Sequence, residues 1–326
     1  MEDQFGRRID YLRISVTDKC NLRCSYCMPV EGLDWIDREE FLTYEEIASV
    51  VRQMAGQGLR RIRLTGGEPL VRRDLPDLVG LLSAIPEIED ISVSTNAILL
   101  PKFANELRLA GVDRVNISLD TLRRDRFEEI ARRPVRLFDE TMRGIEAAER
   151  AGFAPIKINT VLLRGLNDDE VSDFARVTRT KPWHVRFIEL MPVGENLHLA
   201  DRFIGTDEVL ERLLEIDELL PDEGPRGNGP ARYYRFPGAP GSVGVITPLS
   251  HNYCDSCNRL RLTADGRLRT CLFGNHEVDL KTPLRSTGSV RGAVESALLD
   301  KPERHLLVMG SDTGSGGLGA LSQVGG

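Results

Sequence analysis

Three cysteines, Cys20, Cys24 and Cys27, stand within eight residues in the spacing Cys-x3-Cys-x2-Cys. Three more, Cys254, Cys257 and Cys271, follow the spacing Cys-x2-Cys-x13-Cys, and the chain has no others. Thiolates are soft ligands that select iron–sulfur clusters, Cu(I) or zinc. An ordinary [4Fe–4S] cluster takes four of them. A triad in one short loop therefore leaves one iron open to a substrate or cofactor. The competing reading is zinc, which as a structural ion wants a closed four-coordinate shell. The five histidines, at 184, 198, 251, 276 and 305, supply no fourth ligand near the first triad. At the second, His251 or His276 could complete a Cys3His zinc site.

Cations are the next feature. Side chains on a strand alternate with period two. On that count Arg63 shares a face with Thr65, Asn116 with Ser118, and Lys157 with Asn159, while Arg186 stands between Val185 and Phe187. Buried cations are costly without an anion. Rim residues paired with acids such as Asp120 and Glu189 would be a bland explanation for one of them. Arg63, Lys157 and Arg186 together, with Arg13 ahead of the first triad, point to a polyanion such as a triphosphate, which arginine suits by bidentate contact. Arg259 and Arg261, directly after Cys257, would share a strand face. Alone they read equally well as a solvated sheet edge; beside a cluster they read as substrate-binding.

The elements that must hold these groups alternate β and α. Strands are expected at 11–16, 60–64, 90–94, 114–119, 156–162 and 184–190, with helix-like stretches between them. In residues 43–57, Ile47, Val50, Val51 and Met54 fall on one helix face. Thr43 with Glu46 reads as a capping box, and Asn167 with Glu170 repeats that signal. Six βα units imply a parallel sheet with right-handed crossovers. They are too few for a closed eight-fold barrel, so the expected fold is α/β: an open, partial (β/α)6 TIM-type barrel over residues 1–202. A flat doubly wound sheet is the alternative. Residues 203–300 are expected to form a small α+β layer carrying the second triad. It would comprise a helix near 206–216, a Gly/Pro-rich loop over 221–230, and strands at 232–236, 242–247, 259–263 and 267–271. Residues 301–326 read as a Gly-rich tail ending in Gly325-Gly326, with seven glycines in its last 17 residues, too many to pack a core.

Composition narrows the classes. The chain has 326 residues, 41% hydrophobic, and a net charge of −7. That is no basic footprint for nucleic acid. The N-terminus lacks a signal-like apolar run, and no stretch reaches the length of a membrane span. Six cysteines in a chain this long make no disulfide framework. A cytoplasmic setting, with neither nucleic acid nor membrane as partner, is expected.

With Tyr26 before its last cysteine, the first triad resembles the radical S-adenosylmethionine superfamily. Gly66-Gly67-Glu68-Pro69 alone would be a turn. At the C-terminal end of a strand, one βα unit after the cysteine loop, it resembles that superfamily's methionine-binding segment. Longer stretches resemble the GTP 3′,8-cyclase family of molybdenum-cofactor biosynthesis: Leu12 to Asp18, Met28-Pro29, Arg63 to Pro69, Asn116 to Asp120, Arg186 to Met191, the second triad with its Arg-x-Arg, and the terminal Gly-Gly. Two residues depart from the family pattern: Ala97, where glycine is usual, and Leu321, where methionine is common.

The resemblance implies two [4Fe–4S] clusters and S-adenosylmethionine as cofactors. It implies a lyase-type reaction that converts GTP to (8S)-3′,8-cyclo-7,8-dihydroguanosine 5′-triphosphate. A 5′-deoxyadenosyl radical would remove the 3′ hydrogen, and the resulting C3′ radical would add to C8 of the base. Tyr26, Gly67, Ser118 and Met191 would contact S-adenosylmethionine. Arg13, Arg63, Ser94, Lys157, Arg186, Arg259, Leu260 and Arg261 would hold GTP. Arg259, Arg261, Gly325 and Gly326 would serve catalysis, and the second open iron would face the guanine. A cellular electron donor and a downstream pterin-forming enzyme are the implied partners, and a homodimer is compatible. Two rivals stand beside this reading. One is a radical enzyme that modifies a peptide with help from an auxiliary cluster. The other is a zinc-ribbon interaction protein without catalysis.

Overall fold

The computed structural model describes residues 1–305 except 193, 226 and 228, together with 307 and 323. Its first half alternates as expected: β1 (Tyr11–Ser15), α1 (Tyr44–Ala55), β2 (Arg61–Thr65), α2 (Leu75–Ser83), β3 (Asp90–Thr95), α3 (Leu100–Ala110), β4 (Arg114–Ser118), α4 (Arg124–Ala131), α5 (Arg136–Arg150), β5 (Ile156–Leu162), α6 (Val171–Val177) and β6 (Trp183–Glu189). The second half runs α7 (Thr206–Leu214), β7 (Leu220–Asp222), β8 (Arg232–Arg235), β9 (Ser242–Ile246), β10 (Arg259–Leu262), β11 (Arg267–Arg269), β12 (Glu277–Asp279), α8 (Lys281–Thr287) and α9 (Arg291–Leu299).

All twelve strands join one open sheet in the order β12-β11-β10-β1-β2-β3-β4-β5-β6-β9-β8-β7. Strands β1 to β6 are parallel neighbours, as six βα units require. The C-terminal α+β part continues this sheet at both ends. β10 pairs parallel with β1, and β9 pairs parallel with β6. The second cysteine triad thereby lands beside the first strand, although more than 220 residues of chain separate the two triads. Antiparallel strands finish both edges.

The largest core cluster joins the strands to the helices that cover them. Ile47, Val50, Val51 and Met54 of α1 belong to that cluster, as do Ile14, Ile62 and Leu64 of β1 and β2. Thr43 caps α1 as expected: its Oγ1 accepts from Glu46 N at 3.2 Å, and Thr43 N donates to Glu46 Oε2 at 2.8 Å. The matching signal at Asn167 and Glu170 does something else. Asn167 donates to Asp120 O at 2.7 Å and Val161 O at 2.8 Å, and Glu170 accepts from Thr121 Oγ1 at 2.6 Å and Leu122 N at 2.7 Å. Both side chains are buried, so satisfying the loop after β4 takes precedence over capping. A short 3-10 turn occupies 168–170, and α6 starts at Val171. The 221–230 stretch is also not all loop, since β7 takes residues Leu220–Asp222.

Candidate active site

The first triad sits in the loop after β1, at the C-terminal end of the parallel strands. Ligand sites in parallel α/β folds form at this end. Two backbone bonds fasten the loop to α4: Arg23 N to Ala131 O at 3.0 Å and Ser25 N to Ile130 O at 2.9 Å. The glycines after β2 let the two loops touch. Gly67 N donates to Thr17 O and Glu68 N to Lys19 O, both at 2.8 Å. A Cβ on Gly66 would collide with Thr17 O, and one on Gly67 with Lys19 O; Gly66 also holds φ +143°. Glu68 is buried and turned inward, accepting from Thr95 Oγ1 at 2.8 Å and Asn96 N at 2.7 Å. Burial pushes its carboxyl up to about 7, against the pull of those donors.

A cavity of about 230 Å³ opens at this end of the sheet. All three first-triad cysteines line it, with Tyr26, Gly67, Ser118 and Met191. Arg13, Arg63, Ser94, Arg186, Arg259 and Arg261 line it too. Strand register explains the convergence: Arg261 lies opposite Arg13, and Arg13 opposite Arg63. Two residues expected here fall elsewhere. Leu260 points to the other face and is buried in the core, as period two demands between Arg259 and Arg261. Lys157 lies off the lining in the next register row, opposite Asn116 and His184. Gly325, Gly326 and Leu321 lie outside the described residues.

The electrostatics are those of several cations buried close together. Arg13 is held well below the ordinary guanidinium value by burial and by Arg261 and Arg63 beside it. Burial, then Arg186, Arg114 and Arg63, bring Lys157 down to about 6. Burial and Arg259 bring Arg261 to about 10. Arg186 is 2% exposed; one nitrogen donates to Asn116 Oδ1 at 2.8 Å. Its Nε has no hydrogen-bond partner among the described residues, and neither do Arg259 Nε, Asn159 Oδ1 or Tyr11 OH. All four residues line the cavity. Buried polar atoms are normally paired, so a cluster of unpaired ones marks where a ligand's polar atoms belong.

The cysteine sites fit the groups their donors imply. Burial, then the charge of Glu68, raises the Cys20 thiol to about 11, and burial raises Cys24 well above its usual value. Such thiols ionise when a metal supplies the positive charge. Each triad feels its own members' charges, which places the sulfurs near one another. Among the described residues no three His, Cys, Asp or Glu side chains gather as one metal ion requires. The fit therefore rests on the donor chemistry of two all-thiolate triads. Neither His251 nor His276 enters the small second pocket of about 60 Å³, which holds Cys254, Cys257, Cys271 and His305. That pocket shares Tyr253, Arg259, Arg261 and Leu272 with the main cavity, so the two triads flank one space.

Comparison with known proteins agrees with this layout. The model of the radical SAM superfamily matches residues 14–177, and the model described as Molybdenum Cofactor Synthesis C matches residues 183–307. A protein of Pelotomaculum thermopropionicum named GTP 3′,8-cyclase is 49% identical over 315 residues, covering 95% of this chain and 96% of the relative. One of Heliobacterium modesticaldum with the same name is 48% identical and is covered end to end, as is this chain. The chain belongs to the GTP 3′,8-cyclase family of the radical SAM superfamily. Membership brings a [4Fe–4S] cluster and S-adenosylmethionine with it. The fold also resembles that of Streptococcus suis SuiB bound to its precursor peptide SuiA, at TM-score 0.62 and 13% identity over 91% of this chain and 72% of that one. At that identity the likeness concerns the fold alone.

Several site residues carry no mark in the sequence patterns. Tyr11 had a usable signal, being two residues from Arg13 and so on its face. Asp120 was expected at most as the partner of a rim cation. It accepts from Tyr26 OH at 2.8 Å and Val161 N at 2.9 Å, fixing Tyr26 at the mouth of the first triad. Glu189 was expected at most as a cation's partner. It instead accepts from Thr206, Leu249 and Ser250 and ties the end of β6 to the segment ahead of the second triad. No sequence pattern marks Lys301 or His305.

Proposed function

We propose that this protein is a radical S-adenosylmethionine GTP 3′,8-cyclase acting early in molybdenum-cofactor biosynthesis, with a [4Fe–4S] cluster at each cysteine triad. The observation that carries the reading is the buried row Arg261-Arg13-Arg63 in the cavity beside the first triad, near unpaired polar atoms of Tyr11, Asn159, Arg186 and Arg259 and adjoining the pocket of the second triad. A polyanion that also offers a hydrogen-bonding base answers both features.

Cys20, Cys24 and Cys27 would hold the first cluster, and Cys254, Cys257 and Cys271 the second. When bound, the first cluster supplies the electron that cleaves S-adenosylmethionine to a carbon radical. The chain's own residues do the positioning. Tyr26, Gly67, Ser118 and Met191 hold the cofactor, with Tyr26 oriented by Asp120. Arg13, Arg63 and Arg186 bind phosphates, and Lys157 neutralises them from the row it shares with Ser94 and Asn116. Ser94 orients the ribose side, and Arg259 and Arg261 fix the base against the second triad. Burial of these groups keeps water from the radical. Gly325 and Gly326 complete the catalytic set. The reaction draws on a cellular electron donor, and its strained product, with base and ribose joined by the new C3′–C8 bond, calls for a pterin-forming enzyme next. A cytoplasmic setting suits oxygen-sensitive clusters, and no helix among the described residues is long and apolar enough to cross a membrane.

Anaerobic incubation with GTP, S-adenosylmethionine and reductant should yield a product isobaric with GTP plus one equivalent of 5′-deoxyadenosine. A peptide-modifying enzyme would bind no GTP, and a zinc protein would purify colourless.

A further inference from the structure

Lys301 follows α9 and is 2% exposed, with its ammonium buried beside the second triad. The Nζ donates to Thr270 O at 2.6 Å, to Arg259 O at 3.0 Å and to Cys257 Sγ at 3.7 Å. Three acceptors around one nitrogen match the three N–H donors of the charged form. The two carbonyls belong to the start of β10 and the residue before Cys271, so the side chain bridges the strands that carry the triad. A buried ammonium needs a negative partner. Asp3, whose field reaches Lys301, is itself bound to Arg7 at 2.6 Å. The thiolates are what remains.

The chain around Lys301 is stapled to the same site. Arg7 donates to Cys254 O at 2.9 Å, Glu303 O at 2.7 Å and Pro302 O at 2.7 Å. Arg304 pairs with Asp255 at 3.1 Å, and His305 Nε2 meets Pro248 O at 2.9 Å. Lys301 is thus held in place and not merely adjacent.

We propose that Lys301 is a positioning residue of the second cluster, whose ammonium is the built-in counter-charge that fixes Cys257 as a ligand and sets that cluster's reduction potential. This rests on the reading that the second triad carries a cluster. Hydrogen bonds and charges on cluster sulfurs are recognised levers on potential. A nearby positive charge favours the reduced cluster, so removing it should make reduction harder.

The test is redox titration of the full-length protein, reconstituted anaerobically, with reduction followed by electron paramagnetic resonance. The signal that S-adenosylmethionine perturbs belongs to the first cluster, and the other is read. In Lys301→Met the reduced-to-oxidised ratio of the second cluster at fixed ambient potential should fall on the order of tenfold, which is 59 mV for one electron. The first cluster should not move. An unchanged second potential in a fully loaded variant would overturn the proposal. If Lys301→Met loads only the first cluster, Lys301→Arg, which keeps the charge, should load both; loading by neither would overturn the charge assignment. Wild-type protein that binds about four irons instead of eight would instead remove the two-cluster reading beneath it.

Discussion

Arg13, Arg63 and Arg261 share a register row, and burial together with Arg261 and Arg63 depresses Arg13, so the site is destabilised by its own charges. Arg13→Ala or Arg63→Ala should therefore weaken GTP binding about tenfold to a hundredfold, the worth of one charge-assisted contact. The melting temperature of the GTP-free protein should hold or rise. Isothermal titration and thermal denaturation measure the two; a melting temperature several degrees lower would mean the arginines serve the fold. Lys157 adds a pH dependence. Its value is about 6 in the folded chain against an ordinary 10.5. Below pH 6 both folded and unfolded chains carry the proton, and the burial penalty is felt in full. Between about 6 and 10.5 the unfolded chain holds more protons, so this group makes stability rise with pH. Phosphate should restore the charge. GTP binding at pH 8 should then take up a proton, seen as a buffer-dependent heat that Lys157→Met abolishes.

At the scale of elements, the parallel core was legible because short β-like runs, with apolar residues at alternate positions, recur between helix-like stretches. Thr43 could be read as a cap because its partner lies three residues away. Asn167 gave the same signal, but its actual partners are in β5 and the loop after β4, which only the folded sheet brings near. The three-residue strands β7 and β12 escaped, β7 inside a Gly/Pro-rich stretch, whereas the equally short β11 was legible as part of a longer run at 267–271. Ala97 was visible only as a departure from the family pattern, and the backbone explains it. The residue holds φ +67°, where glycine is at ease, and a Cβ on Gly144 of α5 would collide with its carbonyl. Ala97→Gly should relieve about 1–2 kcal/mol of left-handed strain. It loses a buried methyl worth about 0.8 kcal/mol and adds about 0.5–1 kcal/mol of chain entropy. The expected net change is within about 1 kcal/mol. Ala97→Val, β-branched at positive φ, should destabilise by about 2–3 kcal/mol. Urea denaturation of the two variants decides; equal effects would show that strain at 97 is not the governing factor.

Across the whole molecule, the cysteine triads read as two candidate metal sites, but the adjoining of their two pockets could not be read. That depends on β10 returning to pair with β1, a contact between residues nearly 250 apart in sequence. Lys301 was hidden for the same reason, being meaningful only once the chain after α9 crosses the second triad. The two triads should separate by function. Cys24→Ala should abolish reductive cleavage of S-adenosylmethionine, whereas Cys257→Ala should chiefly lower GTP binding and product yield. Deleting Gly325 and Gly326 should leave iron content, melting temperature and GTP affinity near wild type and sharply reduce product, with some uncoupled cofactor cleavage remaining. Wild-type turnover of the truncated chain would make the tail dispensable.

The central claim is that one cavity brings a radical generator to the ribose of GTP. Its most direct test is anaerobic turnover with GTP deuterated at C3′, S-adenosylmethionine and a reductant, followed by mass analysis of the 5′-deoxyadenosine released. The account predicts one deuterium in 5′-deoxyadenosine and its loss from the cyclised product. Unlabelled 5′-deoxyadenosine beside normal product formation, or transfer only from GTP labelled at another carbon, would contradict it.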